Sequence, residues 1–191
     1  MAGRGSRYRA AVTVSVQRPL LFLDVDGPLI PFGEAPRHHL DGHPTYGPVH
    51  GSPPSGSNPL LTRIDPAHGP RLTALPCDLV WATTWMDDAN EYVAPWIGLP
   101  CLPVVIWPEP TAVDDQDEHA GIHWKTRGLI EWAGGHPFAW VDDEITDADR
   151  AWVAAHHRGR ALLHRVDPRQ GLVDADYAAL NEWMIQAGGA A

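Results

Sequence analysis

A chain of 191 residues that is 44% apolar can bury one sizeable core and is too short for two comfortable ones. Its net charge of −10 argues against tight binding of a bare polyanion, the more so because residues 1–18 hold four arginines and no acid and leave −14 on the rest. The two cysteines, Cys77 and Cys101, lack zinc-type spacing and suit reduced thiols in a cytoplasmic protein, and no apolar run approaches the roughly 20 residues of a membrane helix.

Residues 1–10 are rich in Gly, Arg and Ser and read as a flexible basic segment. Residues 11–16 alternate with period two and can pair as an edge strand. Residues 20–23 form a short apolar run that ends in Asp24 and Asp26, one residue apart, followed by Gly27 and Pro28. The run predicts a buried strand, and the turn signal places both carboxylates at its carboxyl end, where open α/β sheets bind ligands. Two carboxylates this close invite a divalent cation, since hard cations take oxygen ligands. Solvated aspartates at a strand end are the other reading, and from these residues alone both stay open.

Residues 30–59 carry seven prolines and five glycines, which forbid a helix of any length and predict a loop flap over the strand end. His38, His39, Asp41 and His43 within it suit either a transition metal or a solvated polar loop. Residues 60–64 read as a short returning strand and 67–75 as a helix with Leu72 and Leu75 on one face. Residues 78–84 read as a second buried strand that ends in Thr83 and Thr84, although threonines also simply favour strands. A helix opened by Asp87 or Asp88 follows, with Tyr92, Val93 and Trp96 turned inward. Residues 102–106 suit a third strand, and the acidic run 114–118 suits a solvated loop.

Lys125 is the only lysine; the other 13 basic residues are arginines. A single ammonium just before a predicted helix, with Thr126 as its cap and Gly134–Gly135 as its end, suits a point charge that holds anionic oxygens. Residues 138–141 form another apolar run, ending in Asp142, Asp143 and Glu144. Thr146 with Asp149 predicts a capping box, and Ala148, Trp152 and Ala155 a buried stripe. Residues 161–166 read as a last strand. Asp174 is placed as the cap of a helix carrying Tyr177, Leu180, Trp183, Met184 and Ala187 inward, stopped by Gly188–Gly189.

Taken together, Asp24-Val25-Asp26-Gly27-Pro28-Leu29, Thr83, Lys125 and Asp142-Asp143 resemble, in order, the four motifs of the haloacid dehalogenase-like superfamily of phosphohydrolases. The stretches Trp81-Ala82-Thr83-Thr84-Trp85 and Trp140-Val141-Asp142-Asp143-Glu144 look closest to the HAD domain of Swiss Army Knife RNA repair proteins. The resemblance covers about residues 19–187. It implies a Rossmann-like three-layer α/β/α sandwich with a mostly parallel central sheet and no large cap domain, filling residues 19–191 behind the basic segment 1–18.

The resemblance also implies roles. Asp24 is the nucleophile that forms an aspartyl-phosphate, and Asp26 is the general acid and base. Thr83, with Thr84 as the fallback, and Lys125 hold the phosphoryl oxygens. Mg²⁺ is held by Asp24, Asp143 and the main-chain carbonyl of Asp26, and Asp142 orients Lys125 or a metal-bound water. An acid at Asp26 favours phosphate esters over dehalogenation. The substrate is then a phosphorylated small molecule or nucleic-acid end. A catalytically idle interaction module, and transfer to an acceptor other than water, are the alternatives.

Overall fold

The computed structural model describes residues 18–34, 42–51 and 58–189. The edge strand expected at 11–16, and His38, His39 and Asp41, lie outside them. Four strands form one sheet in the order β2-β1-β3-β4 and run parallel throughout: β1 (Leu20–Leu23), β2 (Asp78–Trp81), β3 (Phe138–Asp142) and β4 (Ala161–Arg165). The chain leaves β1 toward β2 on one side and returns to β3 on the other. The gap between the carboxyl ends of β1 and β3 is therefore the topological switch point of the sheet.

Burial on both faces explains why β1 and β3 read as unbroken apolar runs. Leu21, Leu23, Trp81, Ala139 and Val141 point to one face. They pack there against Leu72 of α1 (His68–Ala74), Trp96 of α2 (Ala94–Ile97), and Tyr177, Leu180 and Met184 of α6 (Asp174–Gly188). Leu20, Phe22, Val80, Phe138 and Trp140 point to the opposite face. That face is covered by Leu129 and Ala133 of α4 (Lys125–Ala133) and Val153 of α5 (Asp147–His156). The result is the expected three-layer α/β/α sandwich.

Several local expectations give way. Residues 60–64 do not return as a strand: Pro59–Arg63 form a 3₁₀ helix, with Pro59 in its first turn and Asn58 accepting from the Leu60 N–H. The acidic run is not a loop but most of α3 (Ala112–His119). Thr111 and Asp114 close a capping box there, the first-turn acids suit the positive helix end, and Asp117 is buried against Arg127. Only Val104 of the predicted third strand bridges the sheet, to Trp81.

The helix after Asp88 begins as a π turn, Ala89–Val93, and passes into α2 at a point where Pro95 offers no N–H to the ladder. Val93 and Trp96 are buried as expected, but Tyr92 is exposed. Thr126 does not cap α4; it is fully buried in the first turn, and its hydroxyl bonds Asp149 at 2.6 Å. The buried stripe of α5 is Asp149 and Val153 rather than Ala148, Trp152 and Ala155, and this bond gives the buried Asp149 its partner. Asp174 is the first residue of α6 and pairs with Arg71, while Asp176 accepts from the Val173 N–H at the cap. No helix of the described residues is long and apolar enough to cross a membrane. Cys77 is buried, Cys101 is exposed, and both are free thiols.

Candidate active site

Register and pleat together build the site. Leu23 pairs with both Trp81 and Val141, so one step further Asp24 lies between Ala82 and Asp142. The Asp24 N–H donates to the Val141 carbonyl at 3.1 Å. Side chains alternate between faces, so Asp24, like Phe22, and Asp142, like Trp140, turn toward the α4 face. The first residue of α4 is Lys125. Its Nζ donates to Asp24 Oδ2 at 2.7 Å and to Asp142 Oδ2 at 2.8 Å. Asp24, Asp142 and Asp143 offer carboxylate oxygens that all lie within 4.8 Å of one another.

All four groups are buried. A cation at a helix N-terminus opposes the helix dipole, so Lys125 depends on its two carboxylates. Burial works against its charge, but the attraction of Asp24 and Asp142 and the bonds they accept outweigh it and raise its pKa. Burial pushes the Asp24 carboxyl up to about 7, against the pull of Lys125 and with a further push from Asp142. Burial, then the charge of Asp142, pushes Asp143 up to about 6. Lys125 thus keeps its proton, and protons taken up on acidification go to the carboxylates. Three carboxylates facing one ammonium leave an excess of two negative charges, all on oxygen donors, which suits a hard divalent cation.

Asp142 is already committed: its Oδ2 accepts from Lys125 and from Trp140 Nε1 at 3.2 Å, and its Oδ1 from the Glu144 N–H at 2.9 Å. Asp26 stands in the turn after β1 and accepts from Trp85 Nε1 at 2.9 Å. Thr83 is fully buried; its hydroxyl accepts from the Trp85 N–H at 3.2 Å, and its carbonyl from Trp107 Nε1 at 3.0 Å. Thr84 is exposed.

A family model described as the HAD domain in Swiss Army Knife RNA repair proteins matches residues 20–177. The chain belongs to this HAD family. Neither the curated proteins nor the solved structures offer a match to it.

The HAD motifs were legible as residues, but the side chains that hold them were not. Trp85 stands in the Trp-Ala-Thr-Thr-Trp stretch and touches both Thr83 and Asp26. His123 accepts from the Lys125 N–H at 3.2 Å through Nδ1 and pairs with Glu144 at 3.0 Å through Nε2, so the lysine helix is tied to the acidic segment. Glu144 is exposed yet holds this histidine. Gly27 has φ +82°, and a Cβ there would land on the Asp143 carboxyl, 2.6 Å from its Cγ. Of His38, His39 and His43 only His43 is described, 3.3 Å from the Gly33 carbonyl oxygen.

A groove of about 700 Å³ lies beside the carboxylate cluster rather than at it. Ile106, Trp107, Trp124, Arg127 and Trp132 line it. Trp107 and Trp124 meet edge to face at 4.9 Å, and the Lys125 ammonium lies 5.5 Å from the Trp124 ring centre. The groove therefore borders the site through residues that touch Thr83 and precede Lys125.

Proposed function

We propose that this HAD domain is a Mg²⁺-dependent phosphatase that hydrolyses a phosphate monoester through an aspartyl-phosphate on Asp24. The observation that carries the reading is the clustering of the Asp24, Asp142 and Asp143 carboxylates within 4.8 Å of one another, with the Lys125 ammonium bonded to the first two. Asp142 accepts from three donors and Asp24 from two, and it is the HAD pattern that assigns the metal to Asp24 and Asp143. Bound there, Mg²⁺ neutralises charge that would otherwise keep an anionic phosphorus away. Asp24 attacks phosphorus in line as Asp26 gives its proton to the leaving oxygen. Asp26 then takes a proton from the water that cleaves the intermediate. The Thr83 hydroxyl, whose oxygen already accepts from Trp85, has its own proton to offer a phosphoryl oxygen, and Lys125 holds another.

The substrate we favour is a phosphorylated nucleic-acid end. The matched family is described by RNA repair proteins, and the indoles of Trp107, Trp124 and Trp132 offer faces on which bases stack. The acidic body suits a short terminal contact better than a long tract of backbone. The test is a panel of p-nitrophenyl phosphate, small-metabolite monoesters and oligonucleotides phosphorylated at the 3′ or 5′ end, each with Mg²⁺ and with chelator. Metal-dependent release of phosphate, lost in Asp24→Asn, supports the phosphatase. Equal turnover of that variant, or no turnover anywhere in the panel, ends it.

A further inference from the structure

We propose that Trp85 is a positioning residue that decides which oxygen of Asp26 carries the proton delivered to the leaving group. The inference rests on the phosphatase reading above. Trp85 is half-buried and packs on the core that covers the α1/α6 face, so its ring is held from behind. It reaches the site twice: its backbone N–H donates to Thr83 Oγ1 at 3.2 Å, and its indole Nε1–H donates to Asp26 Oδ2 at 2.9 Å. The backbone under Asp26 is fixed as well, since the Ile30 carbonyl accepts from the Gly27 N–H and the Val25 carbonyl from Leu29 and Ile30. The indole bond then restrains the Asp26 carboxyl.

An indole N–H only donates. Oδ2, which accepts from it, is held as the carbonyl-type oxygen, and we place the proton to be delivered on Oδ1. In the first step a bond forms between an Asp24 oxygen and phosphorus. The bond from phosphorus to the leaving oxygen breaks, and the Oδ1 proton passes to that oxygen, giving aspartyl-phosphate and a free alcohol. In the second step Oδ1 takes a proton from water as the water oxygen bonds to phosphorus. Inorganic phosphate leaves and the Asp24 carboxylate returns. Both transfers use one oxygen at one orientation, which is what the indole supplies.

The consequence depends on the leaving group. A p-nitrophenolate departs without a proton, whereas an alkoxide needs one. Trp85→Phe keeps the backbone N–H to Thr83 and removes only the bond to Asp26. The experiment measures kcat/KM of the full chain with Mg²⁺ on p-nitrophenyl phosphate and on n-butyl phosphate. In the variant the aryl value should stay within about 3-fold, and the alkyl value should fall by about 10- to 100-fold, within the range of general acid catalysis. The ratio of the two does not depend on how much of a sample is folded, and Trp85→Leu, which also lacks a donor, gives the same comparison should the phenylalanine variant not accumulate.

In an Asp26→Asn background the same change at Trp85 should leave the ratio unmoved, because no proton is left to place. An unchanged ratio in the single variant, or an equal fall on both esters, overturns the role of Trp85 while wild-type turnover upholds the phosphatase. Wild-type inactivity on both esters overturns the two together.

Discussion

The Nζ of Lys125 lies 2.7 Å from Asp24 Oδ2 although 101 positions separate the two residues in the chain. The contact follows from strand alternation, which turns Asp24 to the α4 face, and from the start of α4 at that level. Lys125→Met would leave two buried carboxylates facing each other with no cation between them. We expect a loss of about 3–5 kcal/mol in unfolding free energy at pH 8, the cost of breaking a buried pair from one side. The loss should shrink at pH 5, where protons replace the missing charge. Urea unfolding at the two pH values measures it.

Asp24→Asn separates chemistry from folding. The amide oxygen still accepts from the Val25 N–H, which bonds Asp24 Oδ1 at 2.8 Å, but the amide nitrogen then faces Lys125, which keeps Asp142 as its partner. Stability should fall by about 1–3 kcal/mol, which a folded domain survives, while turnover of an aryl phosphate falls by about 10³-fold or more, since the nucleophile itself is gone. Thermal melting beside steady-state assay gives both readings on one sample.

The acidic cluster makes stability and metal binding depend on pH in a defined direction. Asp24 is pushed up to about 7 and Asp143 to about 6 in the folded chain, both above their ordinary value of 3.8. The folded state therefore holds extra protons between about pH 4 and 7, and their contribution to stability is full at the acid end and lost as pH rises through 7. A divalent cation favours the ionised carboxylates and reverses the loss. Titration calorimetry with Mg²⁺ in two buffers of different ionisation enthalpy should show proton release at pH 6 and almost none at pH 8.

The strands and motif carboxylates were readable because a parallel sheet buried on both faces writes itself as short apolar runs, and those of β1, β2 and β3 stop at or next to Asp24, Thr83 and Asp142. Lys125 stood out for another reason, as the one lysine of the sequence. Trp85, His123 and Glu144 could not be placed: their bonds to Asp26, to the Lys125 N–H and to one another join loops whose paths no periodicity records. The misread elements share a cause. In α3 a tertiary partner, Arg127, buries an acid that composition marks as solvated, and in α5 the buried stripe includes Asp149, whose partner is Thr126. Local pattern is overruled where one polar pair is buried.

His68 gives a second pH dependence, of opposite sign and away from the carboxylates. Burial, opposed by Asp65 and aided by Arg71, holds its pKa down to about 4, and its Nδ1 lies 2.8 Å from the Tyr177 hydroxyl between α1 and α6. The unfolded chain takes up this proton near the ordinary value of 6.5, so the contribution is present above that pH and lost as pH falls toward 4. His68→Asn removes the titration and keeps a polar partner for Tyr177. The difference in unfolding free energy between wild type and variant should move against the wild type by up to about 3 kcal/mol between pH 7 and pH 4. Denaturant curves of both proteins across that range measure it, and a constant difference contradicts the assignment.

Gly27, in the turn after β1, sits directly against the Asp143 carboxyl. Its φ of +82° suits glycine, and any Cβ would strike the Asp143 carboxyl. Gly27→Ala must either twist the turn that carries Asp26 or push Asp143 off the cluster. Strain of this kind costs on the order of 1–3 kcal/mol, which a domain of this size can survive folded. The damage should fall on the metal: Mg²⁺ affinity by calorimetry should drop at least about 10-fold, the result of displacing one carboxylate. Asp143→Asn should lower affinity similarly, and combining the two should add little, because both changes remove the same carboxylate from the same place.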